Sequence, residues 1–455
     1  MKKLKEQLLN QNMKMMIYYK YTQLLLLFVF TTMQVTAQNI LTKKEALEIT
    51  LENNYGIKIA NNNLEVAKNN SSVYNSGYLP TISTSAGTNY SNTDQEITGQ
   101  DGTSTSVNGA VTKTYNASLN VNYTIFDGLG RKYNYQQLKE QYNLTELQAR
   151  ETIENTYLQL FTVYFQIARL SENTSNLQEA LEISKQRLQR AKYQNEYGQS
   201  TKLELLNAEV DVNNDSISYI NSKQQFLKAK RSINIILGVQ KEIDYDVETD
   251  VSFNNLLSFD DLLLETKSNN VLLKQNEKNI AISEFNIKVN KANYLPNLGL
   301  TTSYGWNKSE NPATSFLAGS TSNGFNAGLN LSWNLFDGGN TKTRVANAKI
   351  TLENQEILLQ QQEETLENNL KNIWEDYQNN LFVLKAQEQN VITNQNNFER
   401  TQERYNLGQV TSIEFRQAQI NLLNTQTALN NAKYDAKLIE LELLQLSGQI
   451  LNIEF

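Results

Sequence analysis

The sequence predicts an α+β membrane protein in which one unit, written twice, supplies four transmembrane β-strands and two pairs of very long α-helices. Three observations carry this. Phe126-Asp127-Gly128 returns as Phe336-Asp337-Gly338 and Gly198-Gln199 as Gly408-Gln409, both 210 residues later, while Tyr78-Leu79-Pro80 returns as Tyr294-Leu295-Pro296, 216 later. Segments before Phe126 and after Pro80, with their counterparts, alternate apolar and polar over about ten residues, the length of a tilted membrane strand. Residues 131–197 and 340–407 contain neither Gly nor Pro. A period this long marks a duplicated domain, since solenoid repeats run to 20–50 residues.

Residues 1–37 have the form of a cleavable secretory signal. Lys14 and Lys20 precede the apolar run Leu24 to Phe30, and Val35-Thr36-Ala37 offers small residues at a cleavage site. The run is shorter than the roughly 20 residues that span a bilayer, and Met13, Met15 or Met16 would serve as a start. Cleavage would change the net charge of −7 to (41 − 5) − (48 − 1) = −11. The acidic balance disfavours nucleic acid, which requires clustered Lys and Arg. The chain has no Cys and no His, which excludes a disulfide, a lipoprotein anchor on Cys, a thiolate or imidazole metal site and a His-based triad. No cofactor is expected, and an enzyme is not.

The first unit takes residues 38–238, with strands at about 81–92 and 114–126 and a helix hairpin at 130–238. A connector, 239–262, leads to the second unit at 263–448, with strands at about 297–306 and 325–336 and a hairpin at 340–448; residues 449–455 form a tail. After Pro80 one strand face reads Ile82, Thr84, Ala86, Thr88, Tyr90, matched by Leu298, Leu300, Thr302, Tyr304, Trp306. Ala117, Leu119, Val121, Tyr123, Ile125 are matched by Ala327, Leu329, Leu331, Trp333, Leu335, with small or polar residues between. Residues 93–113 and 307–324 are polar, Gly/Ser/Thr-rich loops, and Tyr90, Tyr123, Trp306 and Trp333 could form an interfacial girdle. Soluble hairpins on a core would alternate in the same way. Four strands cannot close a barrel, and an open edge is forbidden in hydrocarbon. Two chains would supply eight strands, three twelve.

At 1.5 Å per residue, the 67 residues of 131–197 would extend about 100 Å as a helix. Residues 53–78 and 200–238 together match that length, so each long helix is expected to lie beside a stacked pair. Pro80 and Pro296 end helices and begin strands. Asp127-Gly128 and Asp337-Gly338 end strands and provide a carboxylate to cap the next helix. Gly198 and Gly408 supply the left-handed residue of a helix-hairpin turn.

With these residues in view, the chain resembles the TolC-like outer-membrane efflux proteins over essentially all of its length after the signal. The opening Leu41-Thr42-Lys43-Lys44-Glu45-Ala46-Leu47, the paired Tyr-Leu-Pro and Phe-Asp-Gly landmarks and the duplicated hairpins all fit. Tyr405-Asn406-Leu407-Gly408 through Glu414 is similar to the family's second hairpin tip. The resemblance implies a homotrimer in outer-membrane lipid of a Gram-negative bacterium, with a twelve-strand barrel continuous with a long coiled-coil α-helical barrel in the periplasm. It implies the exit duct of a tripartite efflux pump for small toxic compounds, joined by a periplasmic adaptor to an inner-membrane transporter of RND, ABC or MFS type. A type I protein or peptide secretion channel is the alternative, and a trimeric coiled-coil structural or adhesive protein is a more distant one.

The resemblance also places the periplasmic entrance at the hairpin tips, with Glu204 and Glu414 each six residues past the tip Gly, beside Tyr405 and Gln417. Gln417 stands where the family has a further acid and Val410 where its best-known member has Arg. The expectation is that Glu414 with Glu204 makes a cation-selective ring. Asp244, Asp246, Glu248 and Asp250 alternate as calcium ligands do, but Thr249 stands where an EF-hand requires Gly.

Overall fold

The computed structural model describes residues 40–239, 244–254 and 257–453; the expected signal lies outside them. In chain order the elements are β1 (Ile40–Leu41), α1 (Lys43–Asn53), α2 (Tyr55–Asn70), β2 (Thr81–Thr98), β3 (Ser104–Asp127), α3 (Gly130–Glu196), α4 (Lys202–Leu237) and β4 (Asp246–Val247). Then follow α5 (Phe259–Asn269), α6 (Val271–Ala292), β5 (Asn297–Glu310), β6 (Gly319–Ser332), α7 (Asn340–Asn406) and α8 (Ser412–Leu446).

Asn54 and Asn270 show how each unit assembles. Asn54 Oδ1 accepts from the N–H groups of Gly56 and Ile57 and so caps α2, while its Nδ2 donates to Ile236 O at the end of α4, 2.7 Å away. Asn270 caps α6 in the same way and donates to Leu446 O at the end of α8, at 2.9 Å. One amide therefore satisfies orphan groups on both sides of a joint. Gly238 and Gly448 close these joints with φ of +69° and +70°, and a Cβ on either would collide with the carbonyl of Asn53 or Asn269. Helix α4 thus continues into α2, and α8 into α6.

The unbroken helices α3 and α7 have 67 residues each. Helix α3 packs against α2, α4, α6 and α8, whereas α7 packs on α6, α8 and the short α5. The main core surrounds the middle of α3, where Tyr157, Leu160, Phe161, Tyr164 and Phe165 meet Leu41, Ile233, Leu237, Tyr434 and Leu441. Tyr164 ties the parallel β1–β4 pair to this core: its hydroxyl donates to Leu41 O at 2.7 Å and accepts from Glu248 N at 3.0 Å.

Several expected boundaries move. The strands β2 and β3 continue through most of 93–113, leaving a turn at residues 99–103, and β5 and β6 likewise extend into 307–324. Polar side chains in water do not prevent backbone pairing, so composition concealed these extensions. At the other end β6 stops at Ser332, not 336; Trp333 Nε1 donates to Tyr294 O and draws the chain from the ladder. Helix α2 ends at Asn70, ten residues before Pro80, and α6 at Ala292, before Pro296. Ser71 Oγ donates to Lys68 O, and Ser72 caps a 3₁₀ turn at Val73–Asn75, competition by short polar side chains that ends the helix first. Helix α5 begins inside the expected 239–262 connector, with Ser258 accepting from Asp261 N. Helix α1 opens the first unit, and a 3₁₀ turn at Ile450–Asn452 lies in the expected 449–455 tail.

Candidate functional site: a two-faced sheet and paired hairpin tips

Strands pair in the order β2-β3-β5-β6, all antiparallel, with β2 and β6 at open edges. The register aligns side chains in rows. Ile82, Val121, Thr302 and Ala327 share one row; Thr84, Leu119, Tyr304 and Phe325 the next; Ala86, Ala117, Trp306 and Asn323 a third. Below them on the same face lie Tyr123, Leu300 and Leu329, then Leu298 and Leu331. The opposite face carries Ser83, Ser85, Ser118, Asn120, Gly299, Thr301, Ser303, Asn330 and Gly328. Most of the large apolar side chains are exposed, Ile82, Phe325 and Leu329 each at 68%, while Val121, Leu298 and Leu300 are half-buried. A contiguous apolar face of this size is unfavourable in water and suited to hydrocarbon. From Leu298 to Trp306 it runs over nine residues of β5, the length of a tilted membrane strand.

The junctions below the sheet hold Asp127 and Asp337. Asp127 Oδ2 accepts from Arg131 N at 2.9 Å and Arg131 Nε at 3.1 Å. Asp337 accepts from the backbone and hydroxyl of Thr341, and these bonds hold its carboxyl below the usual carboxylate range. Gly128 and Gly338 follow at positive φ, and Pro80 and Pro296 immediately precede β2 and β5.

At the far end of the helices, Gly198 and Gly408 turn each hairpin at positive φ, with Gln199 N donating to Gln194 O and Gln409 N to Arg404 O. Glu204 and Glu414 both occupy the third position of the returning helix, capped by Thr201 and Thr411. The two carboxylates differ in their partners. Glu414 completes a capping box, accepting from Thr411 N at 2.7 Å and Thr411 Oγ1 at 2.8 Å, which holds its carboxyl below the usual range. Glu204 accepts from Ser200 Oγ at 2.6 Å. Tyr405 is buried, stacked on Phe415 at 4.7 Å under the Arg190 guanidinium, so it packs the tip. Gln417 donates to Asn421 on its own helix; with Glu204 it lines a cleft beside Arg187 and Arg416.

That cleft reveals residues the sequence analysis did not single out. Arg416 of α8 makes a bidentate bond to Asp215 of α4, with Nη2 to Oδ1 at 2.6 Å and Nη1 to Oδ2 at 2.7 Å. Arg187 of α3 pairs with Asp211 of α4 and donates to Ser412 O. Ser184 donates to Asp215 and accepts from Arg416. This network joins the two hairpins; the spacing of Asp211 and Asp215 at i, i+4 was its visible signal. The acidic connector is also occupied by cations: Lys230 donates to Asp244 and Asp246, and Lys43 pairs with Glu248. Among the described residues no group of three or more acids could hold a metal, and no helix is long and apolar enough to cross a membrane.

A sheet with one hydrocarbon-suited face, continuous with helices of about 100 Å, defines a membrane channel protein. The model of the family described as outer membrane efflux protein matches residues 46–239 and 262–449, and the chain belongs to that family. It is 23% identical over 377 residues to outer membrane protein TolC of Vibrio cholerae, covering 82% of this chain and 83% of that one. Among solved structures, the CmeC outer membrane channel of Campylobacter jejuni superposes with a TM-score of 0.75 at 18% identity, covering 90% of this chain and 86% of that one. VceC, an outer membrane protein of Vibrio cholerae, gives 0.70 at 14% identity, covering 89% and 96%. The chain is therefore an outer-membrane efflux channel with the TolC-like α+β fold.

Proposed function

We propose that three copies of this chain close a twelve-strand barrel whose lumen continues through the helices, and that the assembly is the passive exit duct of a tripartite efflux pump for small toxic compounds. The observation that carries this is the pair of open sheet edges. An edge in hydrocarbon leaves backbone groups without partners, so β2 of one copy must pair with β6 of the next. The helices support the same closure. Helix α4 exposes Leu203, Leu206, Val210, Ile217, Ile220 and Leu227, and α7 exposes Ile350, Ile357 and Ile392. These positions follow a seven-residue repeat, the pattern of a helix seam lacking its partner.

On this reading the duct hydrolyses nothing: an inner-membrane transporter supplies energy, and a periplasmic adaptor grips the hairpin tips. Light scattering of the detergent-solubilised protein should give three chains per particle, and planar bilayers should show one conductance per trimer. Deleting the gene should raise susceptibility to small toxic compounds; export of a protein or peptide lost instead, with susceptibility unchanged, would favour the secretion alternative. A monomeric, non-conducting particle would overturn the proposal.

A further inference from the structure

The apolar face of the sheet ends in a charged row. Directly beyond Ala117 and Trp306, Tyr115 lies opposite Lys308, and in the next row Tyr90, Lys113 and Glu310 lie side by side. All five are on the apolar face, because pairing is regular from Tyr90 to Ala86 and from Glu310 to Trp306. Lys308 Nζ donates to Glu310 Oε1 at 2.9 Å and sits 5.9 Å from the centre of the Tyr115 ring. Lys113 makes no salt bridge among the described residues, so the trio keeps a net positive charge. Their neighbours in these rows, Thr88, Thr321 and Gly319, are neutral. The opposite rim of the face is different: Arg131 is committed to Asp127, Gly77 O and Ile125 O.

We propose that Lys113 and Lys308 bind the phosphate headgroup of an outer-leaflet lipid whose acyl chains lie on Trp306, Tyr304 and Phe325. This rests on the reading that the apolar face meets lipid. Two ammonium groups one row apart can share a phosphate as point charges. Tyr90 and Tyr115 place amphipathic rings at headgroup height, as in an interfacial belt. The site is at one rim only, so it would select one leaflet.

The test uses the intact trimer exchanged into detergent with bisphosphorylated lipid A or its dephosphorylated form, with bound lipid counted by native mass spectrometry. Wild type should retain the phosphorylated form roughly tenfold better, and Lys113→Gln with Lys308→Gln should remove that preference without changing trimer mass. Equal retention of both lipids, or a preference unchanged in the double variant, overturns the proposal. Binding of inorganic phosphate at millimolar concentration in lipid-free detergent, with neither form of lipid A retained, would mean a free-anion site and overturn it too. A variant keeping only Trp306 among the tryptophans, reconstituted with brominated acyl chains, separates the two claims. Quenching without lipid preference refutes the headgroup site alone; absence of quenching refutes the lipid-facing reading as well.

Discussion

Helices α3 and α7 occupy the same place in the two units and have the same length, yet they are buried very differently. Helix α3 buries Tyr157, Leu160, Phe161, Tyr164, Phe165, Ile167 and Ala168 in succession, and none is more than 2% exposed. Helix α7 buries isolated residues, among them Leu366, Leu370, Tyr377 and Leu384, and leaves Phe382 73% exposed. Duplication fixed the backbone pattern, but position in the subunit decided which copy would become its interior. Helix α3 is a strut inside one subunit; α7 is a wall that another subunit should cover.

That contrast is most sharply tested by paired truncations. Phe161→Ala removes a ring packed against Tyr157, Tyr164 and Phe165 and should cost about 3–5 kcal/mol, seen as loss of folded protein in the outer membrane. Phe382→Ala should leave the subunit folded and reduce the fraction of trimer surviving mild detergent on a gel. Equal effects of the two on subunit folding would break the distinction between strut and wall.

The next effect concerns the bond between hairpins. Asp215→Asn takes from the Arg416 guanidinium its bidentate partner and leaves only the longer carboxylate contact, with Asp211 at 3.6 Å, in a site where the side chains are mostly buried; breaking such a pair costs about 3 kcal/mol. The hairpin tips should become sensitive to protease at lower temperature. Adding Arg416→Met should recover part of the loss, because the coupling belongs to the pair; additive losses would show that the two act separately.

Much of this architecture was legible from punctuation. The duplication, the long helices and the strand faces follow from Gly and Pro spacing and from period two, which local sterics impose wherever the chain goes. The strand extensions were hidden because Ser, Thr and Asn suit a solvated strand as well as a loop. Of the Arg187, Ser184, Asp211, Asp215 and Arg416 network only the i, i+4 spacing of Asp211 and Asp215 was visible, because its members lie on three helices and no local pattern says which charged residue of a polar helix will meet another. The packing of Tyr405 between Phe415 and Arg190 was hidden for a similar reason: it is a tertiary fact.

A smaller effect separates the two tips. Thr411→Ala should cost about 1 kcal/mol as the loss of a helix cap. The Glu414 carboxyl is held below its ordinary value of 4.5 by its bonds to Thr411. A depressed folded value means that the bond stabilises fully above the unfolded value and is lost as pH falls through the folded one. Thermal midpoints of wild type and Thr411→Ala should therefore differ most at pH 6 and draw closer, without meeting, on acidification well below 4.5, because the variant loses the hydroxyl bond to the carboxylate and also the Glu414 N–H cap, which does not titrate; a gap of unchanged size at pH 3 would assign all of it to the hydroxyl cap.

The smallest effect asks which acid sets ion selectivity. Both sit at equivalent positions, and three copies would bring six carboxylates to one entrance. Glu414 is held by the backbone N–H and hydroxyl of Thr411, so its charge is directed into its own helix start. Glu204 is bound by the Ser200 hydroxyl and borders the cleft shared with Gln417, which leaves its field more open to a passing cation. Glu204→Gln should lower cation-over-anion permeability in planar bilayers by a few-fold, and Glu414→Gln by less. The reverse order would mean that the capping box loosens when the subunits assemble, and that the second unit, not the first, supplies the selective ring.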